Sequence, residues 1–350
     1  MSRAYYIEEF ILMDRRVVIY LVGIVIGCVL LTILPKPFNV NRDEMRADAA
    51  RATGNYPIDY VDSYGRSVQI PYPPQKIVSL APSITETLFY LGLDEQLVAN
   101  TLFCKYPARA QNKLHIGGID NPDLEQILAI RPDIVIGTTL TPQEVYEQLE
   151  RIGITAVAMN QGNWNSVVAE MRSICRFMNR SDLIHDHIGR IIEQRRAVET
   201  RVKERQDLGM PTPKVLIIYD WEELYSAGVG TWSDDLVSMS GGVNVVDNSM
   251  SSWPKLSKEY IIRSNPDVII LRQPEDSEEK DVQDALIART RSRLPWSRVN
   301  AIQQNRILYM DEDMLTIPGP RMALALDTME KFIAMTFRPD KTDKRQNEEQ

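Results

Sequence analysis

The chain has 350 residues, of which 44% are hydrophobic and 25% charged, with a formal net charge of −8 and a pI near 5.2. This length allows about two domains of ordinary size, and the acidic balance argues against a general nucleic-acid-binding protein, which needs a basic face. Three cysteines, Cys28, Cys104 and Cys175, are too few for a disulfide framework, and the sequence leaves a Cys104–Cys175 bond open.

The N-terminal segment is predicted to tether the protein to a membrane. Residues 17–34 are apolar and carry no charge, and Pro35 follows them. A run of this length is at the short end of what spans a bilayer, so residues 1–35 are interpreted as an uncleaved signal anchor. The alternative is a lipoprotein signal with Cys28 as the acylated residue, because Val25-Ile26-Gly27-Cys28 resembles a lipobox. The apolar run continues past Cys28, which favours the anchor. Both interpretations place the remaining chain on the extracytoplasmic face of the cytoplasmic membrane.

Residues 36–57 are polar and are interpreted as a linker, and residues 58–180 are predicted to form an N-terminal α/β lobe. The lobe begins with a hairpin whose turn is Asp62 to Arg66, a typical turn composition. Apolar runs then predict strands at 76–80, 97–99, 133–136 and 154–159, which alternate with helices at 83–91, 123–130, 141 onwards and 165–178. Strands and helices in alternation predict a parallel sheet covered on both faces.

Helix starts are predicted from capping patterns. Ser83 and Glu86 have the spacing of a capping box, as do Thr231 and Asp234 in the second half of the chain. Thr141 is placed to cap the helix that Pro142 opens.

Residues 181–208 contain no proline and are predicted to form one long helix that joins two lobes. About 25 helical residues would span roughly 37 Å, more than one small lobe requires. Residues 209–338 are predicted to form a C-terminal α/β lobe with strands at 214–218 and 268–270 and a last helix at 320–336. The charged segment 339–350 is predicted to be disordered.

One sequence pattern, here called the repeated phrase, occurs twice. Residues 125–136 and 259–270 each place a Glu seven residues before a Pro-Asp pair and an apolar run. Two distant copies indicate two similar lobes rather than a solenoid. Glu125 and Glu259 would each gain from the dipole at the start of a helix. Their equivalent positions also suit docking on two arginines of a two-fold symmetric partner.

Motifs of catalysis are absent from the sequence. It contains no G-x-S-x-G, H-E-x-x-H, P-loop or C-x-x-C pattern, and we predict neither an enzyme nor a metal site. His185 and His187 are two positions apart on the predicted helix, so their side chains point in different directions.

Aromatic residues instead follow the predicted strands of both lobes: Tyr106, Tyr219, Trp221, Trp232 and Trp253. Ligands of open α/β sheets bind outside the carboxyl ends of the strands, so these rings predict a broad apolar ligand held between the lobes. Ser83 and Thr139 would add polar contacts. The alternative is that the rings cap the core.

A set of short motifs carries a family resemblance, although none is decisive alone. They are Asp62-Ser63-Tyr64-Gly65-Arg66, Lys76 to Ser83, Cys104-Lys105-Tyr106-Pro107, Asn121 to Glu125, Trp253-Pro254 and Pro318-Gly319-Pro320-Arg321. Over about residues 58–338 the chain resembles the class III extracytoplasmic solute-binding proteins of cobalamin and ferric-siderophore uptake. Cys-x-Tyr-Pro and Trp253-Pro254 are most similar to the cobalamin-binding branch, whereas Lys105 stands where an acid is common.

The resemblance implies two Rossmann-like lobes joined by one rigid helix, with a small-molecule ligand between them and little hinge closure. The implied ligand is a corrinoid or another metal chelate, such as a ferric siderophore or haem, with no covalently bound cofactor. Arg321 is the basic residue expected near it. The implied partner is a dimeric ABC permease with its ATPase, on whose arginines Glu125 and Glu259 would dock. A sensor, scaffold or cofactor-assembly protein on the same fold is the alternative of another class.

Overall fold

The structure is a computed structural model that describes residues 56–160, 162–273, 280–282, 284–285, 287–288 and 296–337. The predicted anchor with Cys28, nearly all of the linker and the tail 339–350 lie outside the described residues. Among the described residues, no helix has both the length and the apolar character that crossing a bilayer requires.

A two-stranded antiparallel hairpin precedes the first sheet, as predicted. Strand β1 (Ile58–Val61) pairs with β2 (Ser67–Ile70). The Asp62 carboxylate closes the turn because it accepts hydrogen bonds from the backbone N–H groups of Tyr64 and Arg66 and pairs with the Arg66 guanidinium. The N–H of Ala158 donates to the same carboxylate, so the hairpin is fastened to the first lobe.

Five parallel strands form the N-terminal sheet. They are β3 (Ile77–Ser79), β4 (Leu97–Asn100), β5 (Leu114–His115), β6 (Ile134–Thr138) and β7 (Ala156–Met159), in the spatial order β5-β4-β3-β6-β7. The helices of this lobe are α1 (Pro82–Tyr90), α2 (Leu124–Ile130), α3 (Gln143–Arg151) and α4 (Trp164–Phe177). Every residue of β6 and β7 is buried, as expected for strands covered on both faces.

The capping box predicted at Ser83 is wrong. Helix α1 begins at Pro82 with Ala81 as its N-cap, so Ser83 lies inside the first turn and is buried. Proline at the first helical position loses no hydrogen bond, which explains this start. The Glu86 carboxylate pairs with Arg321 of the other lobe instead of capping the helix.

The cap predicted at Thr141 is also wrong. Helix α3 begins at Gln143 after Pro142, without a side-chain cap. The Thr141 hydroxyl donates to the carbonyl of Ile119 at 2.7 Å. The Thr141 hydroxyl therefore bonds to a residue distant in sequence, and it does not cap α3 as the local pattern predicted.

A long helical stretch occupies the predicted segment between the lobes, but it is irregular at its start. Residues Ile184–Ile188 form a π-helical turn, and α5 (Gly189–Asp207) continues from it. Arg201 and Arg205 on α5 both pair with the buried Glu330 near the end of the chain. These bonds hold α5 against the C-terminal lobe.

Four parallel strands form the C-terminal sheet. They are β8 (Lys214–Ile218), β9 (Val243–Asn244), β10 (Val268–Arg272) and β11 (Ile307–Met310), in the order β11-β10-β8-β9. The helices of this lobe include α6 (Trp232–Met239), α7 (Lys258–Ser264), α8 (Asn300–Gln303), α9 (Glu312–Thr316) and α10 (Met322–Thr336).

The cap predicted at Thr231 is confirmed, because its hydroxyl oxygen accepts from the N–H of Asp234. The Asp234 carboxylate accepts from Gly230 rather than from Thr231, so only half of the predicted capping box forms.

One hydrophobic cluster runs through both lobes. It joins Ile77 and Trp164 of the first lobe to Val215 and Trp232 of the second, and it includes Ile191 of α5. The other face of each sheet has a cluster of its own. Because burial stabilises by roughly 25 cal/mol per Å² of apolar surface, opening the lobes apart would expose this shared core at a cost.

Cys104 and Cys175 are both free and buried, which answers the question that the sequence left open. Burial raises the pKa of the Cys175 thiol to about 11 and raises that of Cys104 as well. Both thiols are therefore neutral and shielded at physiological pH.

Candidate functional site

Exposed apolar side chains gather in loops that follow the strands of both sheets. Seven of them, here called the apolar rim, are Leu102, Phe103, Tyr106, Leu140, Tyr225, Val229 and Trp253. Their exposed fractions lie between 46% and 71%, which is high for large apolar groups. A surface of this kind is typical of a ligand or partner site.

The loops of the two lobes meet at this edge. The guanidinium of Arg321, after β11, binds the carboxylate of Glu86 on α1, with Nε to Oε2 at 2.8 Å and Nη2 to Oε1 at 2.7 Å. Gly319 lies close to Ser83 in the same region. The carboxyl ends of the strands in both sheets therefore border one shared cleft.

Three of the five predicted aromatic residues lie at the rim or beside it. Tyr106 and Trp253 are about half exposed. Tyr219 is partly buried, with its ring 5.7 Å from that of Trp253 and its hydroxyl 2.6 Å from Ser233 Oγ. Burial raises the pKa of Tyr219, so this hydroxyl stays protonated as a hydrogen-bonding group.

The other two predicted aromatic residues are buried. Trp221 packs in the core of the C-terminal lobe with its ring 5.8 Å from that of Trp296. Trp232 stacks on Trp164 of the N-terminal lobe at 6.3 Å. The Asp235 carboxylate accepts a hydrogen bond from the backbone N–H of Trp164 at 3.2 Å, so this contact joins the lobes.

The two predicted polar residues, Ser83 and Thr139, differ in solvent exposure. Ser83 is buried in the first turn of α1, beneath the loops. Thr139 is exposed after β6 beside Leu140, and its carbonyl accepts from the Tyr64 hydroxyl at 3.1 Å. Thr139 thus lies at the rim, and Ser83 belongs to the floor between the lobes.

The Glu86–Arg321 pair is almost completely buried, with 2% of the Glu86 side chain and 10% of the Arg321 side chain exposed. Burial raises the pKa of Glu86, and the charges of Asp313 and Asp311 act in the same direction. The hydrogen bonds and charge of Arg321 oppose this rise. Arg321 also stacks on the Tyr106 ring, with 4.4 Å between the guanidinium carbon and the ring centroid.

Acidic side chains dominate the C-terminal side of the cleft. Two groups follow the ends of β8 and β11: Asp220, Glu222, Glu223, Asp311, Glu312 and Asp313. The nearby cations are engaged, because Lys255 pairs with Glu223, Arg272 with Glu312 and Arg321 with Glu86. This side therefore disfavours an anionic ligand.

The repeated phrase folds alike in both lobes. Glu125 and Glu259 are each exposed and each occupy the second position of a seven-residue helix. Both helices end in a residue with left-handed backbone, Arg131 with φ of 51° and Asn265 with φ of 46°. The two acids are therefore presented in the same way by two equivalent units.

The Pro-Asp part of the phrase has a structural role. The Asp133 carboxylate accepts from the backbone N–H of Lys76 at 2.9 Å, and the Asp267 carboxylate accepts from that of Lys214 at 3.0 Å. In return each Asp N–H donates to the carbonyl of the same lysine at 2.8 Å. Each aspartate thus fastens the first strand of its lobe to the strand that follows the helix.

No cluster of His, Cys, Asp and Glu suited to a metal ion occurs in the part of the chain that the structure describes.

Sequence reasoning missed several residues of this site. Leu102, Phe103, Leu140, Tyr225 and Val229 were not singled out, although each follows a predicted strand. The sequence did contain a signal for them, because an apolar side chain in a loop that follows a strand is a candidate for ligand contact.

Residues 77–314 match the model of the family described as periplasmic binding protein. The vitamin B12-binding protein of Pectobacterium atrosepticum is 25% identical over 254 residues, which cover 72% of this chain and 86% of that protein. An uncharacterized ABC transporter substrate-binding lipoprotein of Bacillus subtilis is 22% identical over 300 residues, covering 83% of this chain and 90% of its own length.

Two solved structures share the fold. The periplasmic vitamin B12 binding protein of Vibrio cholerae superposes with a TM-score of 0.65 and 19% identity, over 75% of this chain and 98% of that one. A periplasmic heme-binding protein in complex with two hemes gives a TM-score of 0.65 and 22% identity, over 75% and 99% of the chains.

Proposed function

Because the chain belongs to the periplasmic binding protein family, in the class that serves cobalamin and ferric-siderophore uptake, we propose that it captures a corrinoid and delivers it to an ABC importer. Members of this family are substrate-binding transport proteins rather than enzymes. The proposed role is accordingly reversible capture of a small molecule and its transfer to a permease.

The observation that carries the corrinoid assignment is the pairing of a broad apolar rim with an acidic C-terminal side. A corrin ring is large and carries no carboxylate, so it suits apolar and aromatic contacts. A catecholate ferric siderophore is anionic and needs cations in the cleft. Arg321, the cation that sequence reasoning assigned to ligand contact, is already bound to Glu86.

The binding roles divide between exposed and buried residues. Tyr106, Tyr219 and Trp253 supply ring contacts, Thr139 supplies a polar contact at the rim, and Ser83 lies on the floor. Trp221 and Trp232 support the site from the core, since both are buried. Trp221 packs against Trp296, and Trp232 packs against Trp164. Arg321 supports the site indirectly, because its guanidinium stacks on the ring of Tyr106.

Calorimetric titration with cyanocobalamin, dicyanocobinamide, hemin and ferric chelates tests the ligand class. Heat with the two corrinoids alone supports the proposal. Binding of hemin in their place would assign the ligand to haem, the cargo of one structural relative. Absence of heat with every ligand would overturn a role in the capture of metal chelates.

Replacing Trp253 by alanine is expected to raise the Kd for the corrinoid about tenfold, because an aromatic contact contributes about 0.5–1.5 kcal/mol beyond its buried area and about 1.4 kcal/mol corresponds to a factor of ten. Leu208→Ala is the matched control, since Leu208 is an exposed apolar residue just beyond α5, outside the rim. Equal effects of the two substitutions in the same titration would contradict a contact through Trp253.

The partner in this role is a dimeric ABC permease with its ATPase. The role involves no nucleic acid. Glu125 and Glu259 dock on arginines of the permease, one per lobe. Their support is the equivalent, exposed placement of the two carboxylates.

The protein acts on the extracytoplasmic face of the cytoplasmic membrane, tethered through residues 1–35. The apolar run 17–34 supports a signal anchor, and a lipoprotein relative supports the alternative of acylation at Cys28. Mass spectrometry of protein from the membrane fraction is expected to find an intact N-terminus if the segment is an anchor. A chain beginning at a diacylglyceryl-modified Cys28 would assign the lipoprotein form, and a cleaved, unmodified chain in the soluble fraction would contradict tethering.

A further inference from the structure

A cavity of about 430 Å³, open to solvent on one side, lies beside the cleft and is lined by residues of both lobes and of α5. We call it the side cavity. Its walls come from α1, from the loop after β4, from α5 and from the start of α10. Its volume is within the usual range of small-molecule sites, roughly 300–1,000 Å³.

Three arginines line the side cavity, and each lies by an aromatic ring. Arg109 stands over Phe89 at 5.4 Å, and Arg321 stands over Tyr106 at 4.4 Å. Arg190 is close enough to Tyr90 for its charge to lower the pKa of that phenol against the rise caused by burial. The cavity therefore offers aromatic faces and cationic groups in the same small space.

The charges of these arginines are balanced to different degrees. Arg321 is neutralised by Glu86, and Arg109 pairs with Asp94 at 3.2 Å. Arg190 is exposed on α5, and no ion pair of it occurs among the residues that the structure describes. Arg190 is thus the cation of this cavity that is available for a ligand.

The side cavity is also held in shape. The Tyr90 hydroxyl donates to the carbonyl of His187 at 3.0 Å, which ties α1 to the π-helical turn just before Arg190. The Glu86–Arg321 pair ties α1 to the start of α10. A site whose walls are fixed before binding loses less entropy when a ligand enters.

Tyr106 belongs both to the apolar rim and to the lining of the side cavity, so the cavity adjoins the rim. Their charges differ, because the C-terminal side of the cleft is acidic and the side cavity is basic. A ligand that fills both needs an apolar or cationic body and an anionic aromatic arm.

We propose that the side cavity is a subsite for such an arm: a phosphodiester that Arg190 binds, joined to an aromatic base that packs among Phe89, Tyr90 and Tyr106. Complete corrinoids carry this arm, and cobinamides lack it. The inference rests on the proposed corrinoid function and adds that this protein prefers the complete ligand. Arginine is suited to the task because its guanidinium donates several hydrogen bonds to phosphate oxygens.

The test compares cyanocobalamin with dicyanocobinamide on the wild type and on Arg190→Gln. We expect the wild type to bind cyanocobalamin about tenfold more tightly, the size of one charge-assisted hydrogen bond. Arg190→Gln should raise the Kd for cyanocobalamin by a similar factor and leave that for dicyanocobinamide unchanged. The preference should also shrink as salt is added, because exposed charges are screened.

Arg196→Gln is the matched control. Arg196 is exposed on the same helix and lines a different groove, so the substitution changes the net charge equally. It should leave both Kd values unchanged, and the thermal midpoint of each variant should match that of the wild type.

The outcomes separate this inference from the function on which it rests. Equal binding of the two corrinoids by the wild type would overturn the subsite and leave corrinoid binding intact. A loss of affinity for both ligands in Arg190→Gln would overturn it as well, since Arg190 would then act on the whole site. If neither corrinoid binds the wild type, the subsite and the corrinoid assignment fall together.

Discussion

Replacing Glu125 and Glu259 by arginine together is expected to abolish ligand delivery and leave ligand binding unchanged. Both carboxylates are exposed at the second position of equivalent helices. If they dock on arginines of the permease, the substitutions place like charges opposite one another, which costs several kcal/mol. We therefore expect the affinity for the permease to fall by at least about 100-fold.

The measurement is uptake of labelled corrinoid in cells, with calorimetric binding to the purified variant beside it. The control is Glu193→Arg with Glu204→Arg, because both acids are exposed on α5 and the net charge changes equally. Normal uptake in the Glu125 and Glu259 double variant would show that these acids do not contact the permease.

The two single substitutions should reduce uptake to similar extents. Glu125 lines a groove of about 300 Å³ together with Leu124, Leu128, Arg151 and Ile152. Glu259 is preceded by Lys258 and followed by Arg263 on the same short helix. Because a cation lies near each acid, we expect Glu125→Arg and Glu259→Arg to reduce uptake by similar amounts.

Arg321→Ala is expected to lower the free energy of unfolding by about 3–5 kcal/mol, because it leaves the buried Glu86 carboxylate without its partner. The side chain of Glu86 is 2% exposed, so water cannot replace the two hydrogen bonds that Arg321 donates. Chemical denaturation at pH 7 measures the loss. Arg180→Ala is the control, since its pair with Asp182 is exposed to solvent and should contribute little to stability.

The loss in Arg321→Ala should depend on pH. Burial already raises the pKa of Glu86 in the folded wild type, and without Arg321 nothing of comparable size opposes the rise. The folded state then binds more protons than the unfolded state between the ordinary carboxyl pKa and the raised one. The variant should therefore lose stability as pH rises through this window and recover it as pH falls.

A paired substitution distinguishes the lost partner from a change in packing. Glu86→Leu with Arg321→Met removes both charges and keeps apolar volume, and such replacements are often neutral or stabilising. We expect the double variant to be more stable than Arg321→Ala. A double variant as unstable as Arg321→Ala would assign the loss to packing around Arg321 rather than to the unpaired carboxylate.

The sequence predicted those features that depend on local pattern. Apolar runs between turn residues located the strands, and the repeated phrase revealed two equivalent helix–strand units. It even separated a structural part from a surface part, since Asp133 and Asp267 fasten strands while Glu125 and Glu259 are exposed. These features involve residues close in the chain, or one contact repeated in both lobes.

The sequence could not predict contacts between distant residues that compete with local ones. Glu86 has the spacing of a capping residue, yet it binds Arg321 at a separation of 235 residues. Trp232 has the position of a ligand contact, yet it stacks on Trp164 of the other lobe. In both cases a tertiary partner buries the group, and no local pattern contains that information.

The hydrophobic cluster that runs through both lobes has a consequence for how an importer would recognise this protein. Because the lobes share one core, the distance between Glu125 and Glu259 is expected to stay nearly constant whether the cleft is empty or filled. A permease that binds these two acids could not detect a bound ligand from the distance between them. Empty protein would compete with loaded protein for the same importer, and the permease could tell them apart only by touching the rim or the ligand held within it.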